Sequence, residues 1–169
     1  PGQGSFKACR EGINNIKGLD EELNESVINK KKPIYGICAG MQLFGTTGYE
    51  EKETPGLNWI EGDIVRIRTG SNNLKIPHMG WNELEIKNST KVFENVHDKS
   101  HAYFIHSYEF LPKNKKVVSL STNYGKEIVA AVCHNNIYGS QFHPEKSQTT
   151  GIEILTSFLK IWKFSQLST

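Results

Sequence analysis

The stretch Pro33-Ile34-Tyr35-Gly36-Ile37-Cys38-Ala39-Gly40-Met41-Gln42-Leu43-Phe44 decides the fold. Its first five residues predict a short apolar strand, and the residues after Cys38 predict a helix, so the chain must turn sharply at the cysteine. Gly36-x-Cys38-x-Gly40 has the form of a nucleophile elbow with cysteine in place of serine. A Cβ at either glycine would clash where the strand and the helix approach each other.

The predicted turn leaves the Cys38 sulfur exposed beside the N–H groups of the first helical turn. Those unpaired donors and the helix dipole favour a thiolate and a developing oxyanion. The alternative interpretation is a buried cysteine that only fills space between two glycines. Cys9 and Cys133 lack this glycine context, and we interpret both as small buried hydrophobic residues.

The composition is that of a single globular domain. The chain has 169 residues, of which 37% are hydrophobic and 22% charged, with a net charge of +2. This length provides one core, and so small a net charge does not indicate binding to nucleic acid or to a membrane surface. Three cysteines without paired spacing predict no disulfide framework, which fits a reducing cytoplasm. No apolar run reaches the length of a membrane span.

Helical periodicity occurs at both ends of the chain and β-patterning in its middle. Predicted helices cover residues 6–16, a segment capped by Asp20, residues 39–46 and a last segment capped by Thr149 or Thr150. Predicted strands cover residues 33–37, 59–68, 84–86, 102–108, 117–121, 128–134 and 137–142, with a hairpin turn at Asn135-Asn136. The pattern predicts a single α/β layered domain with a mixed sheet, an architecture compatible with many functions.

A nucleophilic cysteine needs a base and a group that orients the base. His143-Pro144-Glu145 is the best candidate, because residues i and i+2 of an extended chain share a face and Pro144 disfavours helix at His143. Glu145 would then hold one imidazole nitrogen while the other faces the sulfur, as in a hydrolase triad. The alternatives are a surface turn and a zinc site. The chain contains neither C-x-x-C nor H-E-x-x-H, so the zinc interpretation is the weaker one, and we expect no metal and no cofactor.

Acyl transfer also needs donors for an oxyanion. The elbow predicts one donor, the backbone N–H of Ala39. A second would come from the glycine-rich loop Pro1-Gly2-Gln3-Gly4, where the backbone of Gln3 and Gly4 can turn inward, although any loop can contain two glycines.

These residues together resemble the class I (triad) glutamine amidotransferases and, within them, the glutaminase subunits of imidazole glycerol phosphate synthase. The resemblance covers nearly the whole chain. The elbow and His-Pro-Glu are shared by all triad amidotransferases, whereas Pro77-His78-Met79-Gly80-Trp81-Asn82 and Lys146-Ser147-Gln148 are more specific to these subunits. The resemblance implies a flavodoxin-like layered domain with a mixed, mainly parallel central sheet.

The resemblance also implies a role for each matched residue. Cys38 would attack the side-chain amide of L-glutamine, with His143 transferring protons and Glu145 orienting it. Gln42 and Glu50 would hold the amino-acid end of the substrate, and the backbone at Ser107 and Tyr108 would lie along it.

A partner is implied as well. The resemblance implies docking on the cyclase subunit of the synthase, a (βα)₈ barrel that receives the ammonia. The predicted docking residues are Pro77, Met79, Trp81, Asn82 and Lys146. We interpret residues 77–82 as a rigid loop that presents apolar anchors. The alternative places Trp81 in a core loop.

The chain departs from the family pattern at three places. Gln3 stands where a small aliphatic residue is common in the family, and Ala39 stands where a larger apolar residue is frequent, but at both positions the backbone would do the chemistry. Family members also carry a βαβ block before the Pro-Gly-x-Gly loop, which supplies the central strand. We therefore expect residues 1–169 to form one amidotransferase domain that is a piece of a longer gene product or has a trimmed start.

Three alternative functions remain open. The chain could be a subunit that is silent until a partner binds, or a paralogous amidotransferase that supplies ammonia to another acceptor, as in surface-sugar amidination. It could also be a peptidase-like cysteine hydrolase on a related fold.

Overall fold

The computed structural model describes Gly2, residues 4–69 and residues 74–166. The helices are α1 (Phe6–Asn14), α2 (Leu19–Asn24), α3 (Ala39–Gln42) and α4 (Gln148–Gln166), with a π-helical stretch at Glu25–Asn29 and 3₁₀ turns at Lys115–Val117 and Pro144–Lys146. The strands are β1 (Ile34–Ile37), β2 (Thr47–Gly48), β3 (Thr54–Pro55), β4 (Gly62–Arg66), β5 (His78–Glu83), β6 (Glu85–Ile86), β7 (His101–His106), β8 (Tyr108–Pro112), β9 (Val118–Asn123), β10 (Glu127–His134) and β11 (Ile137–Ser140).

Strands of both directions form the central sheet, which has the order β1-β11-β10-β9-β6. The prediction of a mixed sheet is confirmed. The expectation that it is mainly parallel is wrong for the described residues: β1–β11 is parallel, and the other three pairs are antiparallel. The reason is connectivity, because short turns join β9 to β10 and β10 to β11, and short hairpins force antiparallel pairing. A second sheet has the order β3-β2-β4-β8, and β5 pairs with β7.

The central sheet separates two hydrophobic clusters. Along β1, Ile34 packs against one cluster and Tyr35 against the other, and Ile137 and Tyr138 of β11 divide in the same way. Since successive strand side chains point to opposite faces, the clusters lie on the two sides of the sheet. One cluster contains Phe6 of α1 and residues of α3, and the other contains residues of α4, so the domain is layered as predicted. No helix in the described part of the chain is long and apolar enough to cross a membrane.

Two predicted helix starts are wrong. Gly18, with a φ of 80°, precedes α2 directly, and Asp20 lies inside its first turn, where its carboxylate accepts a hydrogen bond from Arg10 Nη2 at 2.7 Å. The last helix begins at Gln148, before the predicted threonine caps, because Gly151 N already donates to the Ser147 carbonyl.

The segment predicted as a rigid loop is also different. Residues 78–83 form strand β5, which pairs with β7 from His78↔His106 to Glu83↔His101. The single strand predicted over residues 102–108 is divided, because β7 ends at His106 and β8 begins at Tyr108 in another sheet.

The elbow has the predicted strand–turn–helix form with a shorter helix. After Gln42 the chain continues in tighter turns, with Phe44 N donating to Met41 O and Gly45 N to Gln42 O. Gly36 lies where β1 meets α3, and a Cβ there would come within 2.7 Å of Gly40 O and of Met41 N. Both of these atoms belong to the backbone, so they cannot move aside cheaply.

We expect Gly36→Ala to lower the free energy of unfolding by about 1–3 kcal/mol, because the added methyl overpacks the elbow. Gly12→Ala is the matched control: a Cβ at Gly12 of α1 meets no atom within 4 Å, so alanine should stabilise the helix by about 0.5–1 kcal/mol. Urea denaturation of both variants measures the difference. Equal stabilities would contradict the close approach.

Candidate active site

Cys38 has a backbone conformation that few side chains adopt. Its φ is 54° and its ψ is −113°, and such strain costs on the order of 1–3 kcal/mol. Hydrogen bonds on both sides hold it, since Cys38 N donates to Ser140 O at 2.8 Å and its carbonyl accepts from Met41 N at 3.0 Å. The sharp turn predicted at the cysteine is therefore confirmed.

A cavity of about 450 Å³ opens at the elbow. It gathers residues from segments that are far apart in the sequence. Its lining includes Gly2, Gly4, Cys38, Ala39, Gln42, Glu50, Pro77, Ile105, His106, Ser107, Tyr108, His143 and Lys146. The structure therefore brings together at one cavity the predicted nucleophile, the predicted base and all four residues predicted to contact substrate.

His143 and Glu145 form the predicted contact by a different route. His143 Nδ1 lies 2.6 Å from Glu145 Oε1. However, Pro144–Lys146 is a 3₁₀ turn that begins directly after His143, so the extended i, i+2 argument is wrong and the turn brings the carboxylate back to the ring. The imidazole is buried, and with Nδ1 facing the carboxylate, Nε2 is the nitrogen left for proton transfer.

The Cys38 sulfur makes its contacts with other groups. Its thiol donates to Ile105 O at 3.9 Å, and Gln141 Nε2 donates to the sulfur at 3.7 Å. Within the described residues, the hydrogen bonds of the sulfur do not include the His143 ring. Catalytic hydrogen bonds are often formed only once the substrate is bound, so we interpret this arrangement as a resting state.

Burial raises the pKa of the Cys38 thiol, and the hydrogen bond from the Ala39 backbone opposes that rise only in part. The expectation that the free N–H groups and the helix dipole favour a thiolate is therefore wrong for the resting protein. The helix α3 has only four residues, so its dipole is small. Desolvation therefore prevails, and the resting thiol is protonated at neutral pH.

The residues predicted to donate to an oxyanion lie at the cavity that contains Cys38, as far as the structure describes them. Gly2 forms a parallel bridge with Cys38, and a Cβ at Gly2 would lie 2.8 Å from Gly40 N, so the loop approaches the elbow closely. Ala39 and Gly4 line the cavity. Gln3 lies outside the described residues.

Two glutamines connect the cavity wall to the sulfur. Gln42 Nε2 donates to Tyr108 O and to Gln141 Oε1, both at 3.0 Å. Glu50 Oε2 accepts a hydrogen bond from Phe6 N at 2.7 Å, so this carboxylate also holds the start of α1.

Sequence reasoning missed Gln141, which lies two residues before His143 at the end of β11. The spacing of two residues could have indicated that Gln141 and His143 share a face, but nothing in the sequence identified the Cys38 sulfur as the partner of Gln141. The Ile105 carbonyl carried no signal in the sequence at all.

A buried histidine pair begins at the cavity wall, which His106 helps to line. His78 and His106 are 2% and 6% exposed, and His78 Nδ1 lies 3.0 Å from His106 Nε2. Burial lowers the pKa of His78 to about 4 and that of His106 to about 3. Both rings are therefore neutral at physiological pH. His78 also stacks on Phe104 and on Tyr124.

The predicted docking residues divide into three groups. Met79 and Trp81 lie on one face of β5 and are 57% and 48% exposed, so the interpretation of Trp81 as a core residue is wrong. Pro77 and Lys146 line the cavity. Asn82 faces inward, because its Nδ2 donates to Asn123 O at 2.9 Å and lies 3.2 Å from His78 Nε2.

The other two cysteines are half-buried rather than fully buried as predicted. Cys9 packs against the cluster that contains Phe6. Among the described residues, no group of three histidine, cysteine, aspartate or glutamate side chains is arranged to hold a metal ion.

Comparison with known proteins defines the class to which this fold and site belong. The sequence profile of the glutamine amidotransferase class-I family matches residues 1–162. The chain belongs to this family.

Solved structures show a likeness in fold. A glutamine amidotransferase at 21% identity superposes with a TM-score of 0.63, over 94% of this chain and 72% of that protein. A glutamine amidotransferase from Thermotoga maritima superposes with a TM-score of 0.61 at 18% identity. The superposition covers 98% of this chain and 63% of that protein. At these identities the likeness is one of fold.

Relatives in sequence narrow the class further. The imidazole glycerol phosphate synthase subunit HisH of Pelagibacter ubique is 51% identical over 161 residues, which are 95% of this chain and 77% of that protein. The HisH subunit of Cereibacter sphaeroides is 43% identical over 163 residues, which are 96% of this chain and 76% of that protein.

The raised pKa predicts how Cys38 reacts. We expect its rate of alkylation by iodoacetamide, without substrate, to keep rising with pH beyond 9.0, the ordinary value for a thiol, because only the thiolate reacts. Peptide mapping by mass spectrometry separates Cys38 from Cys9 and Cys133. A plateau reached below pH 8 would contradict the raised pKa.

The histidine pair predicts a loss of stability in acid. Both side chains have folded-state pKa values below the ordinary 6.5, so the unfolded chain binds more protons below pH 6.5 and stability falls as pH drops toward 4. Each ring contributes a slope of up to about 1.4 kcal/mol per pH unit.

Urea denaturation between pH 7 and pH 5 measures that slope. Replacing both rings by leucine should flatten it, whereas His97→Asn, at an exposed position, should not. An unchanged slope in the double variant would show that the rings are not the neutral pair described.

Proposed function

We propose that this chain is the glutaminase subunit of imidazole glycerol phosphate synthase, which hydrolyses L-glutamine and delivers ammonia to a cyclase subunit for histidine biosynthesis. The observation that supports this most strongly is that Cys38, on the elbow, and His143, whose ring contacts the Glu145 carboxylate, line the same cavity. Membership of the amidotransferase family and the HisH relatives support the same reaction.

The reaction begins when His143 Nε2 takes the thiol proton and the Cys38 sulfur attacks the carboxamide carbon of glutamine. The tetrahedral oxyanion accepts hydrogen bonds from the Ala39 N–H and from the Gly2–Gly4 loop. Collapse breaks the C–N bond, and the imidazolium gives its proton to the leaving ammonia. Water, deprotonated by His143, then attacks the thioester and releases glutamate, with the proton returned to the sulfur.

The polar groups of the cavity match the amino-acid end of glutamine. The Glu50 carboxylate is the negative group in the lining that can pair with the α-ammonium. Both hydrogens of Gln42 Nε2 are already donated to protein acceptors, so Gln42 offers substrate its Oε1, an acceptor that also suits an ammonium. Ser107 and Tyr108 form the wall along which the side chain of glutamine would lie.

Strand β5 is the face proposed to dock on the cyclase, a (βα)₈ barrel. Met79 and Trp81 expose large apolar surface next to Pro77 and Lys146 at the cavity. Apolar anchors beside a cavity mouth are what a partner receiving a small product would cover. Ammonia released at Cys38 would then pass directly into that partner.

A partner-dependent enzyme is the second candidate, and a specific observation favours it. In the resting geometry the thiol donates to Ile105 O and has a raised pKa. An isolated subunit in this state should hydrolyse glutamine slowly, and docking that turns the sulfur toward His143 would accelerate it. This candidate keeps the same residues and reaction and changes only the control of the rate.

We expect Cys38→Ala to abolish glutamine hydrolysis in the complex with the cyclase, because Cys38 is the only cysteine among the described residues that line the cavity. Glu145→Gln should lower kcat by about 10²–10⁴-fold, since the His143 tautomer and the developing imidazolium lose their partner. Ammonia and glutamate release are measured with and without the cyclase, and the control is Cys133→Ala, at a cysteine that does not line the cavity.

Three outcomes would contradict parts of this account. Full activity of Cys38→Ala would exclude the thioester mechanism. Equal rates with and without the cyclase would exclude partner dependence. Failure of the gene to restore growth of a histidine auxotroph, with glutaminase activity intact, would favour the paralogous amidotransferase.

A further inference from the structure

We infer that Gln141 is a positioning residue for the Cys38 sulfur, and that a continuous chain of hydrogen bonds beginning on strand β5 holds it in place. The inference rests on the proposed function only in taking Cys38 as the nucleophile. The chain runs, in order, through Asn82, His78, His106, the Tyr108 carbonyl, Gln42, Gln141 and the Cys38 sulfur.

The amide of Gln141 has one orientation that satisfies its neighbours. The side chain is 0% exposed, so each polar atom needs a partner inside the protein. Its Oε1 accepts from Gln42 Nε2 at 3.0 Å, which leaves Nε2 to face the sulfur at 3.7 Å. A rotated amide would set two donors against each other at Gln42 and place an oxygen against the thiol.

Gln42 is held in turn by the Tyr108 carbonyl. Its Nε2 donates to Tyr108 O at 3.0 Å, and the same oxygen lies 2.8 Å from His106 Nδ1. A carbonyl can only accept, so His106 carries its proton on Nδ1. The carbonyl therefore accepts two hydrogen bonds, one from Gln42 and one from His106.

The tautomers of the histidine pair follow from this assignment. His106 Nε2 must accept, so His78 Nδ1 donates to it at 3.0 Å. His78 Nε2 then accepts from Asn82 Nδ2 at 3.2 Å, and the other Asn82 hydrogen goes to Asn123 O. Asn82 Oδ1 accepts from Glu83 N. The bonds from Asn82 to the Tyr108 carbonyl therefore all run inward from β5. Gln42 donates both to that carbonyl and to Gln141, which donates to the sulfur, so the direction of each bond is fixed.

The consequence for chemistry is an N–H group aimed at the sulfur before substrate arrives. A thiolate accepts such a bond more strongly than a thiol does, so Gln141 stabilises the state that attacks. The hydrogen bond from Gln141 lowers the pKa of Cys38 and so opposes burial, which raises it. The same series of hydrogen bonds also links the Gln141 donor to strand β5, which exposes Met79 and Trp81.

The test measures the reactivity of Cys38 directly. Gln141→Glu keeps an oxygen for Gln42 and replaces the sulfur-facing donor by an acceptor, and Gln141→Met removes the donor without adding charge. Both should shift the midpoint of the pH profile for Cys38 alkylation upward by about one pH unit, a roughly tenfold smaller thiolate fraction. The charged or titratable groups that line the cavity with Cys38 remain in both variants, and they are Glu50, His106, Tyr108, His143 and Lys146. Cys9 and Glu145, whose charges raise the pKa of Cys38, remain as well.

Kinetics of the complex with the cyclase provide the second measurement. We expect kcat to fall by about tenfold with KM for glutamine nearly unchanged, because Gln141 contacts the sulfur and not the cavity. His78→Phe, which removes the donor to His106 far from the sulfur, should shift the alkylation midpoint in the same direction by a smaller amount. Gln148→Glu is the matched control, since it makes the same change at an exposed position and should leave the midpoint where it is.

The outcomes separate this inference from the proposed function. If the parent complex hydrolyses no glutamine, the proposed function fails, while the alkylation midpoints still decide the role of Gln141. A folded Gln141→Met protein with the parent midpoint would overturn the inference, and Gln141→Glu decides if the methionine variant does not fold. An unchanged midpoint in folded His78→Phe would overturn the part of the chain beyond Tyr108.

Discussion

The reversal of the backbone at Cys38 is the constraint on which the rest of the structure depends. A residue with a φ of 54° and a Cβ is strained, and here neighbouring elements hold it in place. β1 is paired with β11 up to Ile37↔Ser140, and the next hydrogen bond, from Cys38 N to Ser140 O, closes the elbow. The sulfur is thereby fixed at the carboxyl end of a parallel strand pair, where ligands of open α/β sheets bind.

The same strand pair also supplies the groups that act on the sulfur. Since β1 and β11 are parallel, both strands end at the same edge of the sheet. The residues after Ser140 therefore emerge beside Cys38. Gln141 reaches the sulfur there, and His143 follows two residues later on the cavity wall. A separation of 105 residues in the sequence (143 − 38) becomes adjacency because of one pairing. The base then needs only the 3₁₀ turn at Pro144–Lys146 to gain its carboxylate.

The layered α/β class, the elbow and the histidine–glutamate pair could be predicted from local patterns, and the family resemblance identified four further residues that line the cavity. The direction of the Cys38 pKa shift could not be predicted, since it depends on how deeply the fold buries the sulfur. The inward orientation of Asn82 and the role of Gln141 were also out of reach. Both depend on hydrogen-bond partners from distant strands, which no spacing rule identifies.

The strand character of β5 was missed for a related reason. Pro77 and Gly80 indicate a loop by composition, yet pairing with β7 extends this segment and separates its two faces. His78 and Asn82 turn inward to the histidine pair, and Met79 and Trp81 remain outside. One short strand thus joins the exposed apolar surface to the hydrogen-bond chain at the cavity, and the proposed control by a partner would use this connection.

The central claim is that the sulfur on the elbow becomes covalently bound to the substrate. The most direct measurement is mass spectrometry of the protein, in complex with the cyclase, after turnover of glutamine has been stopped with acid. The account predicts a glutamyl adduct on the peptide that contains Cys38, and its loss in Cys38→Ala. Release of glutamate and ammonia with no adduct at Cys38 at any quench time, or with an adduct on another residue, would contradict it.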